Sequence, residues 1–141
     1  MTDKISLLAN ARVALVQFIY SATFAGAEVS PKNLRTFMSS DFMREAAGEM
    51  DMGTFGFLSR GIVKNLAAVD VAVKGALAKG ATDLMTMAIL RAGAFEILFA
   101  GGKTPRSVLV SEYTNIASGF LPKNRIGLVN AALAKLTETK E

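Results

Sequence analysis

Apolar residues recur along this chain with the period of an α-helix. Phe55, Leu58, Ile62, Leu66, Val69, Val73 and Leu77 are separated by 3, 4, 4, 3, 4 and 4 positions, one unbroken stripe. Arg60, Lys64 and Lys74 fall off that stripe, which gives this long helix a wet, basic side. Leu109, Tyr113, Ile116 and Phe120 repeat the pattern as 4, 3, 4, and Ile126, Val129, Leu133 and Leu136 as 3, 4, 3. From Leu84 to Phe99 the chain is apolar almost all round, interrupted by Arg91 and Glu96. A helix without a polar face belongs in the middle of its bundle. No segment sustains a period of two, so the pattern predicts an all-α bundle of six to seven helices with no sheet.

Punctuation falls between these stripes. Gly26–Ala27 precedes Ser30-Pro31, a helix cap followed by Pro at the first helical position. Gly48 to Gly53 forms a Gly-, Asp- and Met-rich break, and Gly80 is followed by Thr82-Asp83, a second capping pair. Gly101-Gly102 closes another helix, and Thr104-Pro105 opens the next in the same Ser/Thr-Pro manner. Gly119 and Pro122 bound the last connection. With 141 residues and no repeat, the chain is expected to form one domain over 1–141.

Composition narrows the chemistry. The chain has no Cys and no His, which excludes disulfides, thiolate nucleophiles, imidazole acid–base work and His- or Cys-ligated metals. Glu45 and Glu49 share a face only if a helix runs through Gly48, and the glycines follow no strand that would make a phosphate loop. The expectation is a non-enzyme without metal or cofactor. A balance of 16 Lys and Arg against 12 Asp and Glu permits phosphate neutralisation without requiring it. Residues 13–27 carry no charge, and AGA over 25–27 has the form of a small-residue cleavage site. Arg12 and Gln17 interrupt the window that a spanning helix needs, so the expectation is a cytoplasmic protein without a membrane segment.

Four segments in order carry a resemblance. They are AR-x-A-L-V-Q-F-I-Y over 11–20, AILRAGAFEI over 88–97, TP with VLVSEY over 104–113, and LVNAALAKL over 128–136. Together they resemble the NusB family of bacterial transcription antitermination factors. The family's patterns there run A-R-x-x-A-x-Q-x-L-Y, A-[IV]-L-R-x-[GA]-x-[YF]-E-L, [IV]-P-x-x-V-x-[IV]-N-E-A and F-V-N-G-[VI]-L. The chain departs from them at Ser111, Tyr113, Leu128 and Ala131, and Thr86 stands where relatives commonly carry an acidic residue. An Arg-rich run that usually precedes the first pattern is reduced here to Lys4 and Arg12.

The resemblance implies a factor that binds single-stranded box A RNA of ribosomal RNA leaders together with the ribosomal protein NusE. Through that pair it would act on the RNA polymerase antitermination complex. It implies RNA contacts at Lys4, Arg12, Lys123, Arg125, Leu128 and Asn130, and partner contacts at Tyr20, Arg91 and Thr86. Each has a plainer reading: dispersed solvated charges, a half-buried aromatic, and for Arg91 an internal clamp with Glu112 as mate. The same fold serves as the RNA-binding domain of rRNA cytosine methyltransferases. The rival from another class is a helical adaptor or homodimer that has lost RNA binding. High apolar content, 51%, and the missing Arg-rich run favour it.

Overall fold

The computed structural model describes residues 3–26, 28–77 and 82–138, so the breaks expected at Ala27 and Gly80 lie outside the described residues. Within them the chain forms α1 (Lys4–Phe24), α2 (Pro31–Met38), α3 (Asp41–Ala46), α4 (Met52–Ala76), α5 (Leu84–Phe99), α6 (Arg106–Phe120) and α7 (Lys123–Thr137), with a 3-10 turn at Ala47–Glu49. Among the described residues there is no strand. The all-α expectation holds.

The stripes become the core. Phe55, Leu58, Ile62, Val69, Val73 and Leu77 are buried along and just past α4, and Leu66 is packed against them. α5 buries ten of its residues and packs against α1, α4, α6 and α7, the central place its missing polar face required. Its small residues Ala88, Ala92, Gly93 and Ala94 let those neighbours approach closely. α1 is long and apolar enough to cross a membrane by length and composition, so Arg12 and Gln17 do not spoil that window as expected. Its Ala11, Ala14, Leu15, Phe18, Ile19 and Ala22 are spent on the bundle core instead.

Two caps lie where the sequence places them. Ser30 accepts the amide of Asn33 at 3.2 Å with Pro31 leading α2, and Asp83 accepts the amide of Thr86 at 3.0 Å to open α5. Ser40 also accepts an amide, from Met43 at 3.3 Å, and this cap divides the segment between Pro31 and the break at Gly48 into α2 and α3. Two expectations fail. Pro105 itself, extended at ψ 142, takes the cap position of α6, which leaves Thr104 outside the helix and without a capping bond. The break at Gly48–Gly53 is shorter than expected, because Asp51 caps α4 through the Thr54 amide at 2.8 Å and draws Gly53 into the helix. Gly101 and Gly102, with φ of 94° and 77°, turn the chain out of α5 in the left-handed region that other residues avoid.

Gly61 is a close-approach site. A Cβ there would overlap the ring of Phe95, which lies against the α4 backbone. Gly61→Ala is expected to cost about 1–3 kcal/mol by overpacking. Gly75→Ala on the same helix, where a Cβ meets nothing within 4 Å, is expected to cost nothing. Urea titration of the two variants checks the contrast.

Candidate nucleic-acid interface

The expected contact residues are distributed along α5. Arg12 of α1 meets Glu96 near the C-terminal end of α5, and Lys4 lines a cleft with Ala100, Gly102 and Lys103 just beyond that end. α1 therefore runs antiparallel to α5, which carries Tyr20 toward the α5 N-terminus. Arg125 marks that other end: its Nη1 donates to Thr82 Oγ1 at 2.8 Å and its Nε lies 3.7 Å from Asp83 Oδ1. The 16 residues of α5 separate the two ends by about 24 Å. Lys4 and the pair Lys123 and Arg125 thus do not converge on one phosphate patch. They belong to opposite poles of the bundle.

Arg12 is not at the surface. It is 7% exposed, and its Nε and Nη2 donate to Glu96 Oε1 and Oε2 at 2.9 and 2.8 Å, a two-pronged pair. The Tyr113 hydroxyl donates to the same Glu96 Oε1 at 2.7 Å, and Glu112 Oε2 stands 4.0 Å from Arg12 Nη1. The hydrogen bonds that Arg12 donates to Glu96 hold its proton even more firmly than usual. Burial, and then the charge of Glu96, push the Tyr113 hydroxyl well above the ordinary phenol range. The expectation of Arg12 as a phosphate contact is corrected: its guanidinium is occupied in the core. Tyr113, where the family pattern has Ala, supplies the hydroxyl, and Gly93 leaves room for its ring.

Two partner expectations also change. Thr86 is fully buried, its hydroxyl donating to Asp83 Oδ1 at 2.6 Å, so it braces the start of α5 instead of meeting a partner. The Asp83 carboxyl is held below its usual range. Burial works against this, and hydrogen bonds from the Thr86 hydroxyl and amide and from Thr82 outweigh it. Arg91 is clamped by Asp70 of α4, Nε to Oδ1 at 2.7 Å and Nη2 to Oδ2 at 3.2 Å, and not by Glu112. Glu112 instead approaches Arg12 of α1.

The rest stay accessible. Tyr20 is half-buried, with its ring stacked 5.7 Å from that of Phe24, which is 69% exposed. On α7, Lys123 and Asn130 are exposed seven residues apart on one face, and Asn130 donates to Thr114 Oγ1 at 3.3 Å. Arg125 and Leu128 share another side of that helix and are half-buried. Sequence reading missed Lys103 and Phe57, which line the cleft at the opposite pole. Phe57 was legible as an aromatic residue off the α4 stripe. Lys103 was not, because only the fold brings its loop beside α1.

That cleft has a volume of about 650 Å3, bounded by the start of α1, the first turns of α4 and the loop after α5. Arg12, Glu96, Leu58 and Leu109 are its buried floor.

Residues 9–138 match the NusB family. The chain belongs to that family. It is 36% identical over 131 residues to the transcription antitermination protein NusB of Caulobacter vibrioides, covering 87% of each chain. It is 34% identical over 134 residues to NusB of a Bradyrhizobium species, covering 89% of this chain and 79% of that one. The solved structure of T. maritima NusB superposes with a TM-score of 0.74 over 98% of this chain and 93% of the other, at 20% identity. The NusB resemblance read from four short segments is thereby confirmed, and with it a NusB-like antitermination factor and not an enzyme.

Proposed function

We propose that this NusB-family chain, acting as a single binding domain in the cytoplasm, holds box A-like single-stranded RNA together with the ribosomal protein NusE. The pair would couple nascent ribosomal RNA to the RNA polymerase antitermination complex. One observation supports the reading beyond family membership. Tyr20 with Phe24 on α1, and Lys123 with Arg125 on α7, lie toward the same end of α5, so that pole of the bundle carries both apolar and basic side chains. An amphipathic aromatic suits a protein interface, and the α7 cations with the Asn130 amide suit phosphates and a base edge. Lys4 contributes from the opposite pole.

Fluorescence anisotropy with a box A-like strand and a scrambled strand, with and without NusE, at low and high salt, tests this. Selective binding strengthened by NusE is the expected result. Lys123→Glu is expected to weaken it several-fold, and Lys123→Gln to make the log–log salt slope shallower by about 0.7. A second reading has its own observation. Ile5, Phe24 and Val71 are 79%, 69% and 73% exposed, apolar surface that a helical adaptor or homodimer would cover. Absence of selective RNA binding with and without NusE leaves that reading in place.

A further inference from the structure

From the cleft at the C-terminal end of α5 we infer that it is a second RNA subsite, in which a base stacks on Phe57 and the adjoining phosphates lie between Lys4 and Lys103. This rests on the RNA reading above and adds to its Lys4 contact, at the pole remote from α7, the ring of Phe57 and the cation of Lys103.

The ligand class follows from what the cleft offers. Phe57 is 54% exposed on a helix whose one other aromatic, Phe55, is fully buried, and it stands at the wall of the cleft. Arg60, one turn further along α4, folds back over Gly56 beside it. Lys4 and Lys103 are exposed, enter the cleft from α1 and from the loop after α5, and form no salt bridge among the described residues.

The two carboxylates present are already engaged. Asp51 is bound to the first turn of α4 through the Thr54 amide, with Lys4 nearby, and Glu96 accepts three hydrogen bonds from Arg12 and Tyr113. An exposed ring flanked by cations is the arrangement that holds single-stranded nucleic acid, since every base has a π-face and every nucleotide an anion. An acidic peptide would use the cations but brings no flat ring-sized group for Phe57. The volume of about 650 Å3 lies in the range that encloses small ligands, enough for a nucleotide-sized unit.

The geometry also sets a length requirement. A strand held at both poles must span the roughly 24 Å length of α5, so a strand shorter than that reach gains nothing from the cleft.

The test uses the full chain, with NusE where it strengthens binding, and a box A-like RNA carrying 4-thiouridine at successive positions. Phe57→Ala is expected to weaken binding about 5- to 100-fold, and Lys103→Gln to make the log–log salt slope shallower by about 0.7. Both residues are exposed, so thermal melting of either variant should match the parent. Photocrosslinks should map to the start of α4 or to the loop at Lys103. Selective RNA binding that both variants retain unchanged, with crosslinks confined to α7, would overturn the subsite and leave the RNA reading intact. No selective binding by the parent chain overturns both. Binding of an Asp- and Glu-rich peptide that both variants lose, with RNA affinity unaffected, would reassign the cleft to a protein.

Discussion

Replacing Arg12 by methionine is expected to lower the unfolding free energy by about 3–5 kcal/mol, the cost of stranding a buried partner charge. The cause is Glu96. Glu96 is 8% exposed, and its carboxylate takes both of its charged hydrogen bonds from Arg12, leaving only the Tyr113 hydroxyl when the guanidinium is gone. Methionine fills much of the volume, so the loss reports the charge more than a cavity. Adding Glu96→Gln should restore at least half of it, because the amide still accepts from Tyr113 and no buried charge is left over. Chemical denaturation of the two single variants and the double variant gives the coupling directly. The same Arg12 variant separates core from interface. Under conditions where it stays folded, the salt slope of RNA binding should be unchanged, whereas a phosphate contact would have made it shallower.

The second large effect is alkaline. Tyr113 is fully buried beside a carboxylate, which raises its pKa in the folded state above that of the unfolded chain. The stabilisation is complete below the unfolded value near 10 and is lost as pH rises from there toward the folded value. The expected slope is about 1.4 kcal/mol of stability per pH unit in that window. Tyr113→Phe should abolish this part of the slope while costing about 1.5–3 kcal/mol at neutral pH, the worth of a hydrogen bond to a charged acceptor. Stability measured by urea titration from neutral pH upward, parent against variant, isolates the tyrosine from every group the two proteins share. Equal alkaline slopes would show that Tyr113 does not carry the effect.

Much of the fold was legible residue by residue. The α4 stripe, the almost all-apolar α5 and most of the α6 and α7 spacings became buried faces, because a helix in water must hide its apolar positions whatever its neighbours. Phe120, at the last turn of α6, is the exception at 39% exposed, and Ile126 is part-buried. Caps were legible where a Ser or Asp side chain reaches its own first-turn amides, as at Ser30 and Asp83. They were less so at Ser40 and Asp51, where several residues compete for the cap and the rest of the fold selects one.

The candidate interface was harder. Arg12 lies in the family's first pattern and has the chemistry of a phosphate contact, yet it faces inward. What turns it is Glu96, which is 84 residues away in the chain and supplies two oxygens in the core. Arg91 needed a partner, as its apolar surroundings required, but the choice of Asp70 over Glu112 depends on which side of α5 each neighbouring helix lies.

Sequence by itself determined the helical class, the central helix, the family and the need for a partner at each charge within α5. These follow from local periodicity and from the cost of burying an unpaired charge. Tertiary structure alone decided which charges pair. It also decided that Lys4 and Lys103 share a cleft while Lys123 and Arg125 stand at the far end of α5. Those are distances between segments remote in the chain, and the packing of helices sets them.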